Sequence, residues 1–461
     1  MFGKNYGGYS GRKYGRKSIR KSKRKGNQKY ILKYVDNPKW GKRRKYRKAI
    51  LPLCVTAAVM LFALAGWGIL TIARNHEGES VEAWSQDVLT NLEDAEEKVR
   101  EAEDTGNANG EEDAAAGGLA DAAGPDGRRT GDIKVKGIYV TGPMAGNEAF
   151  QELLELVDGT ELNTMVIDVK NDEGKISWQM DLESARSLGA CTPYIGDIGS
   201  FMRTLEEHGI YTIARIVCFK DPCLAAGKPE LALKKADGTP VTDGGGMAWV
   251  NPYREEVWEY LTEVAEASVE AGFDEIQFDY VRFPIGEDAE AAEYGVDMGK
   301  TEKQQAIGGF LEYAVNRLHG KGVVVTADVF GTIIGSETDV EQVGQDYAVL
   351  GETIDVLSPM VYPSHYGNGV FGLDVPDAHP YETVLAALSG SKEELEGIPE
   401  DKRAAVRPWL QAFTATWVNG HISYGGEQVR QQIQAVYDAG YEEWILWNAV
   451  NRYPEDGLLP N

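Results

Sequence analysis

From Lys134 onward, short runs of β-branched and aromatic residues alternate with longer stretches whose apolar residues recur every three or four positions. A short run apolar on both sides reads as a strand buried on both faces, and the three-to-four spacing reads as a helix with one apolar side. The pattern predicts strands at 135–141, 163–169, 211–219, 275–281, 322–330, 355–362, 406–413 and 443–449. It predicts helices over 147–157, 198–208, 253–271, 303–319, 381–388 and 427–439. Eight strands alternating with helical segments predict an α/β chain whose residues 132–461 form a (β/α)8 TIM barrel rather than an open doubly wound sheet.

Upstream the pattern changes twice. Ala49 to Ala73 contains no charged residue. As a helix this run would be roughly 37 Å long, enough to cross a hydrocarbon core of about 30 Å. Residues 74–131 read as a stalk. In its first half Val81, Trp84, Val88, Leu92, Ala95, Val99 and Ala102 form a helical stripe that would allow self-association. From Thr105 to Gly131 the chain is mainly Gly, Ala, Asp and Asn, the composition of a flexible spacer.

The net charge of -25 hides an asymmetry. Residues 1–48 hold nineteen Lys/Arg and one acid, Asp36, so they carry +18 and the remainder carries -43. Basic flanks stay on the cytoplasmic side, which predicts a single-pass cell-membrane protein with residues 1–48 inside and the barrel outside. The alternative for the same run is a signal peptide cleaved after Ala63-Leu64-Ala65. The tail would meet anionic lipid, and the acidic barrel argues against specific nucleic-acid binding. Four cysteines give neither a zinc spacing nor a disulfide framework, although Cys218 and Cys223 stand close enough in sequence to pair.

A barrel places its chemistry at the C-terminal strand ends. There the sequence puts Asp168, Lys170, Asp172, Asp279, Arg282, Asp328, Tyr362, His365, Trp409, Gln411, Trp447 and Asn448. Alternation in EIQFDYV turns Ile276 and Phe278 toward the helices, and Gln277 and Asp279 into the barrel. Two carboxylates from adjacent strands in an aromatic cleft suit glycoside hydrolysis, so Asp279 and Asp328 are the candidate catalytic residues and the other ten the candidate sugar contacts. Trp178, Trp249, Tyr280, Tyr366 and Trp417 offer further flat faces for sugar rings. The alternative for Asp279 is an ion pair with Arg282 or Arg215. The six histidines form no H-E-x-x-H pair, and no G-x-S-x-G elbow occurs, which disfavours metallohydrolase and serine hydrolase chemistry. No spacing calls for a cofactor or metal, calcium at Asp168, Asp172 and Glu173 being the less favoured reading. A non-catalytic carbohydrate-binding or cell-wall organising protein on the same scaffold is the competing reading.

The strings MVIDVKNDEG, ARIVCFKDP, GFDEIQFDYVRFP, TADVFG, SPMVYPSHYGNG, RPWLQAF and ILWNA resemble a glycoside hydrolase barrel family long known as a domain of unknown function in bacterial surface proteins. The resemblance runs from about residue 133 to the C-terminus. It implies a TIM barrel, hydrolysis of glycosidic bonds, and distant kinship with α-amylase-like and α-galactosidase-like barrels. In those relatives an aspartate closing the fourth strand is the nucleophile, and Asp279 matches that position. Gln277 stands where the amylase-like pattern has arginine, Asp328 where it has glutamate, and Val281 where chitinase-like barrels have their glutamate.

Overall fold

The computed structural model describes residues 133–297 and 302–461. Strands β1 (Lys136–Val140), β2 (Thr164–Lys170), β3 (Tyr211–Val217), β4 (Glu275–Asp279), β5 (Val324–Phe330) and β6 (Val356–Met360) are followed by β7 (Ala405–Val406), β8 (Trp409–Gln411) and β9 (Trp444–Trp447). The last three make two staves, because Pro408, with no N–H to give a ladder, splits the seventh into β7 and β8. Every barrel pairing is parallel. β9 joins β8 to β1, and Met360 of β6 bridges Trp409 of β8, so the ring of eight staves closes.

Six long helices cover the outside: α1 (Phe150–Gly159), α2 (Ile198–Glu207), α3 (Glu255–Ala271), α4 (Lys303–Leu318), α5 (Pro380–Leu395) and α6 (Gly426–Asp438). Each starts within three residues of its expected place. Local signals set their ends, as where Asp197 caps α2 through the amide of Ser200, and Gly272, at φ +108°, stops α3 in a conformation that costs other residues more. α5 runs a full two turns past its expected end. Ser389-Gly390-Ser391 has poor helix propensity, but burial overrides it, since Ser391 is enclosed and bonded to the Tyr347 and Tyr441 hydroxyls.

The strands have two differently packed faces. Outward, Ile276 and Phe278 join the layer under the helices, where Phe278 meets Phe310 of α4 edge-on at 5.1 Å. Inward, Tyr139, Val166, Tyr211, Ile213, Tyr362, Trp409 and Ile445 fill the bore. Below them lies a buried polar plug in which Glu275 accepts from Arg407 (2.6 Å), Tyr211 (3.1 Å) and Thr326. Gln277, inward as alternation requires, donates to Ser358 at 3.3 Å.

The basic tail, the apolar run 49–73 and the stalk 74–131 lie outside the described residues. Among the described residues no helix is long and apolar enough to cross a membrane. Cys218 and Cys223 are free thiols, so the pairing their spacing allowed does not occur in this structure.

Candidate active site

β4 ends on Asp279, and the ladder pairs Phe278 with Ala327, so the next step sets Asp279 level with Asp328 on β5. Beyond it Tyr280 takes φ +47°, a left-handed conformation that a bulky residue adopts only when its surroundings impose it. The turn lets the Tyr280 amide donate to Asp279 Oδ1 at 2.5 Å.

Arg215 organises the floor. It is level with Asp168 on one side and Gln277 on the other, and points into the bore. Its Nη1 donates to Asp168 Oδ1 at 2.6 Å, while Nε (2.9 Å) and Nη2 both donate to Asp279 Oδ2. Burial opposes its charge, but Asp279 and Asp168 outweigh burial and hold Arg215 firmly protonated. The rings of Tyr139 and Trp447 stack on each other at 4.1 Å, and the guanidinium lies 5.4 and 5.3 Å from their centroids.

Asp328 is held differently. Its Oδ1 accepts from the Trp409 indole at 2.6 Å, and no cation bonds it among the described residues. Burial, and then the neighbouring charge of Asp279, push its carboxyl well above the usual carboxylate range. One wall of the site therefore offers an aspartate paired with a cation, and the next an aspartate whose surroundings favour its protonated form.

Both aspartates open into a cleft of about 490 Å³ at the C-terminal end of the barrel. Of the expected contacts, Arg282, Tyr362, His365, Trp409 and Trp447 line it, and Tyr280 joins them. The other five lie elsewhere. Lys170 is fully buried against Asp221 (2.9 Å) and the Val217 carbonyl (2.6 Å). Asp168 is buried at the level of Arg215, bonded to it and, at 3.0 Å, to Tyr139. Gln411 is fully buried, holding the Ser364 amide and Asp377, and Asn448 clamps the Ala412 and Arg452 carbonyls. Asp172 sits on the half-exposed rim with Lys220 at 3.0 Å. Asp168 and Asp172 thus turn to different partners, and among the described residues no group of three or more metal-binding side chains forms.

Arg215 lines the cleft as the ion-pair partner that the sequence offered for Asp279. Phe330, Met360 and Phe413 line it without having stood out in the sequence, since an apolar residue at a strand end is indistinguishable from core. Trp178, by contrast, packs on Phe273 in the core.

Residues 137–453 match the model of a family described as "Putative glycosyl hydrolase domain". No curated protein sequence matches. Among solved structures the chain is similar to a hypothetical protein from Ruminiclostridium thermocellum ATCC 27405 at 38% identity, covering 42% of this chain and 97% of that one, with a TM-score of 0.39. It is also similar to the PgaB glycoside hydrolase domain from Bordetella bronchiseptica at 12% identity (68% of this chain, 94% of that one, TM-score 0.49). A third is the α-galactosidase TtGalA from Thermus thermophilus at 14% identity (70% of this chain, 60% of that one, TM-score 0.42).

Proposed function

The chain belongs to this glycosyl hydrolase domain family, and we propose that it cleaves O-glycosidic bonds of a cell-surface or environmental poly- or oligosaccharide by a retaining, two-carboxylate mechanism. The carrying observation is the pair of level aspartates on adjacent strands, one bonded to Arg215 and the other with its carboxyl pushed well above the usual range by burial.

Adjacent strands lie about 4.8 Å apart, which suits the roughly 5–5.5 Å between carboxyls that retention needs. Asp328 gives its proton to the departing glycosidic oxygen while an oxygen of Asp279 bonds to the anomeric carbon. Asp328, now a carboxylate, takes a proton from water as that water displaces Asp279 and restores both groups. Arg215 fixes the nucleophile's plane with its paired donors. Tyr362, Trp409 and Trp447 supply apolar faces for the ring, and His365 and Arg282 meet its polar edge.

The test is sugar release from panels of α- and β-linked glycans by the full-length protein. Asp279→Asn should lower kcat/KM by about a thousandfold or more, because the covalent step is lost. Equal release by wild type and variant would overturn the assignment. Binding of a glycan by both with release by neither would favour the carbohydrate-binding or cell-wall organising role. We extend the proposal to placement: the barrel is displayed outside the cell, tethered by residues 49–73, with the basic tail against anionic lipid.

A further inference from the structure

Arg282 lines the same cleft as the two aspartates, yet is only 9% exposed. A guanidinium carries five N–H donors. One of them, on Nη1, goes to the Phe283 carbonyl at 2.9 Å, and among the described residues no carboxylate stands within ion-pair distance. The acids whose charge Arg282 feels are committed elsewhere, Asp279 to Arg215 and Asp243 to Lys220 at 3.1 Å. Its faces are packed instead by the rings of Phe330 (4.5 Å), Trp249 (4.9 Å) and Tyr280 (5.2 Å). Rings fix the guanidinium plane and keep water off it, but they offer its N–H edge no lone pairs. The Trp249 indole N–H is itself buried without an acceptor, which adds to the excess of donors.

The other buried arginines of the barrel do not look like this. Arg215 has two aspartates, and Arg407 has Glu275 and Glu443. The chain has 72 acidic side chains with which to neutralise a buried cation, and an unpaired one is costly. Burial draws the pKa of Arg282 down only to about 10, so it stays charged at neutral pH.

We propose that the missing anion arrives with the ligand, and that Arg282 selects a sugar bearing a carboxylate. A carboxylate is planar and accepts two parallel N–H bonds from one guanidinium edge, and its single charge matches the single unpaired cation. The inference rests on the reading of this cleft as a sugar site. A uronic acid carries that carboxylate on the ring, and a lactyl ether carries it on a side arm.

Calorimetric titration of the full-length protein at pH 7 with D-glucuronate against D-glucose, D-galacturonate against D-galactose, and N-acetylmuramate against N-acetylglucosamine tests the proposal and separates the two sources. At least one acidic sugar should bind tenfold or more tighter than its neutral counterpart, with the preference lost in Arg282→Gln. Acidic sugars that bind no tighter than the neutral ones, or not at all, overturn the proposal, as does a preference that survives Arg282→Gln. The wild-type comparison needs no variant, so it stands even if Arg282→Gln does not fold. Binding is read without hydrolysis, so a protein that prefers acidic sugars but cleaves none refutes the proposed hydrolysis and leaves the selectivity standing.

Discussion

Asp328 and Asp279 are the same residue type one strand apart, and their neighbours make them opposites. In the proposed mechanism Asp328 acts only while it holds its proton, so kcat/KM should fall as pH rises through its elevated value. Asp328→Asn should abolish that alkaline limb and cost roughly 10²–10⁴ in rate. The same shift predicts a stability effect with a definite sign. Unfolded, the carboxyl titrates near 3.8; folded, it titrates well above that. Between the two values the native state binds the extra proton, so the contribution of Asp328 to stability is present below 3.8 and is lost as pH rises through the folded value. Asp328→Asn, which has no charge to bury, should therefore gain in melting temperature over wild type as pH increases, and a difference constant with pH would contradict this account. Arg215 makes a complementary case. Arg215→Met would leave Asp168 and Asp279 buried without their cation, so urea unfolding should show a loss of about 3–5 kcal/mol. A loss below 1 kcal/mol would mean that the floor does not depend on the ion pairs.

At the level of elements, what the sequence made legible follows from how local each signal is. Strand and helix periods are local, and all eight staves and six helices appear where the spacing predicts them. The parity argument also held, because Glu275, Gln277 and Asp279 alternate along β4 with Ile276 and Phe278, which pack in the outer layer. Strand-end polarity was a weaker guide. A polar residue there must find a partner, but the sequence does not say whether that partner is ligand or protein. Lys170, Gln411 and Asn448 found theirs within the fold, at Asp221, Asp377 and the backbone. The loop after β8 shows what only the structure supplies, since rings distant in sequence line up there. Tyr362 meets Phe413 at 6.1 Å, and Phe413 stacks on Trp417 at 5.9 Å, leading from the cleft to an indole that is 68% exposed. If this line holds further sugar units, Trp417→Ala should raise KM for a polymer by roughly two- to tenfold, the worth of one stacking contact of about 0.5–1.5 kcal/mol. It should leave kcat on a short substrate unchanged, and so exposed a side chain should alter stability by less than about 0.5 kcal/mol. Equal effects on short and long substrates would place Trp417 outside the binding path.

At the scale of the whole molecule, the charge and the barrel's polarity point the same way. The chain enters the described barrel just before β1, at the N-terminal end of the strands, and the cleft opens at the opposite end. Ile133 therefore lies on the face away from the cleft, which suits a tether. On the proposed placement, the +18 of residues 1–48 and the uncharged run 49–73 would make that tether a membrane anchor with its basic side inside. Expressed in a bacterial host, the full-length protein should sediment with membranes, resist extraction by high salt or alkali, and dissolve in detergent. Salt extraction alone would reduce the association to the attraction of the basic tail for lipid, which is screened within about a Debye length. Protease added to intact cells or spheroplasts should remove the barrel and leave a short tail-bearing fragment, whereas an intact barrel that becomes cleavable only after lysis would reverse the topology. Deleting residues 49–73 should release the protein from the membrane fraction with its glycan binding intact, because every residue of the proposed site lies beyond residue 133.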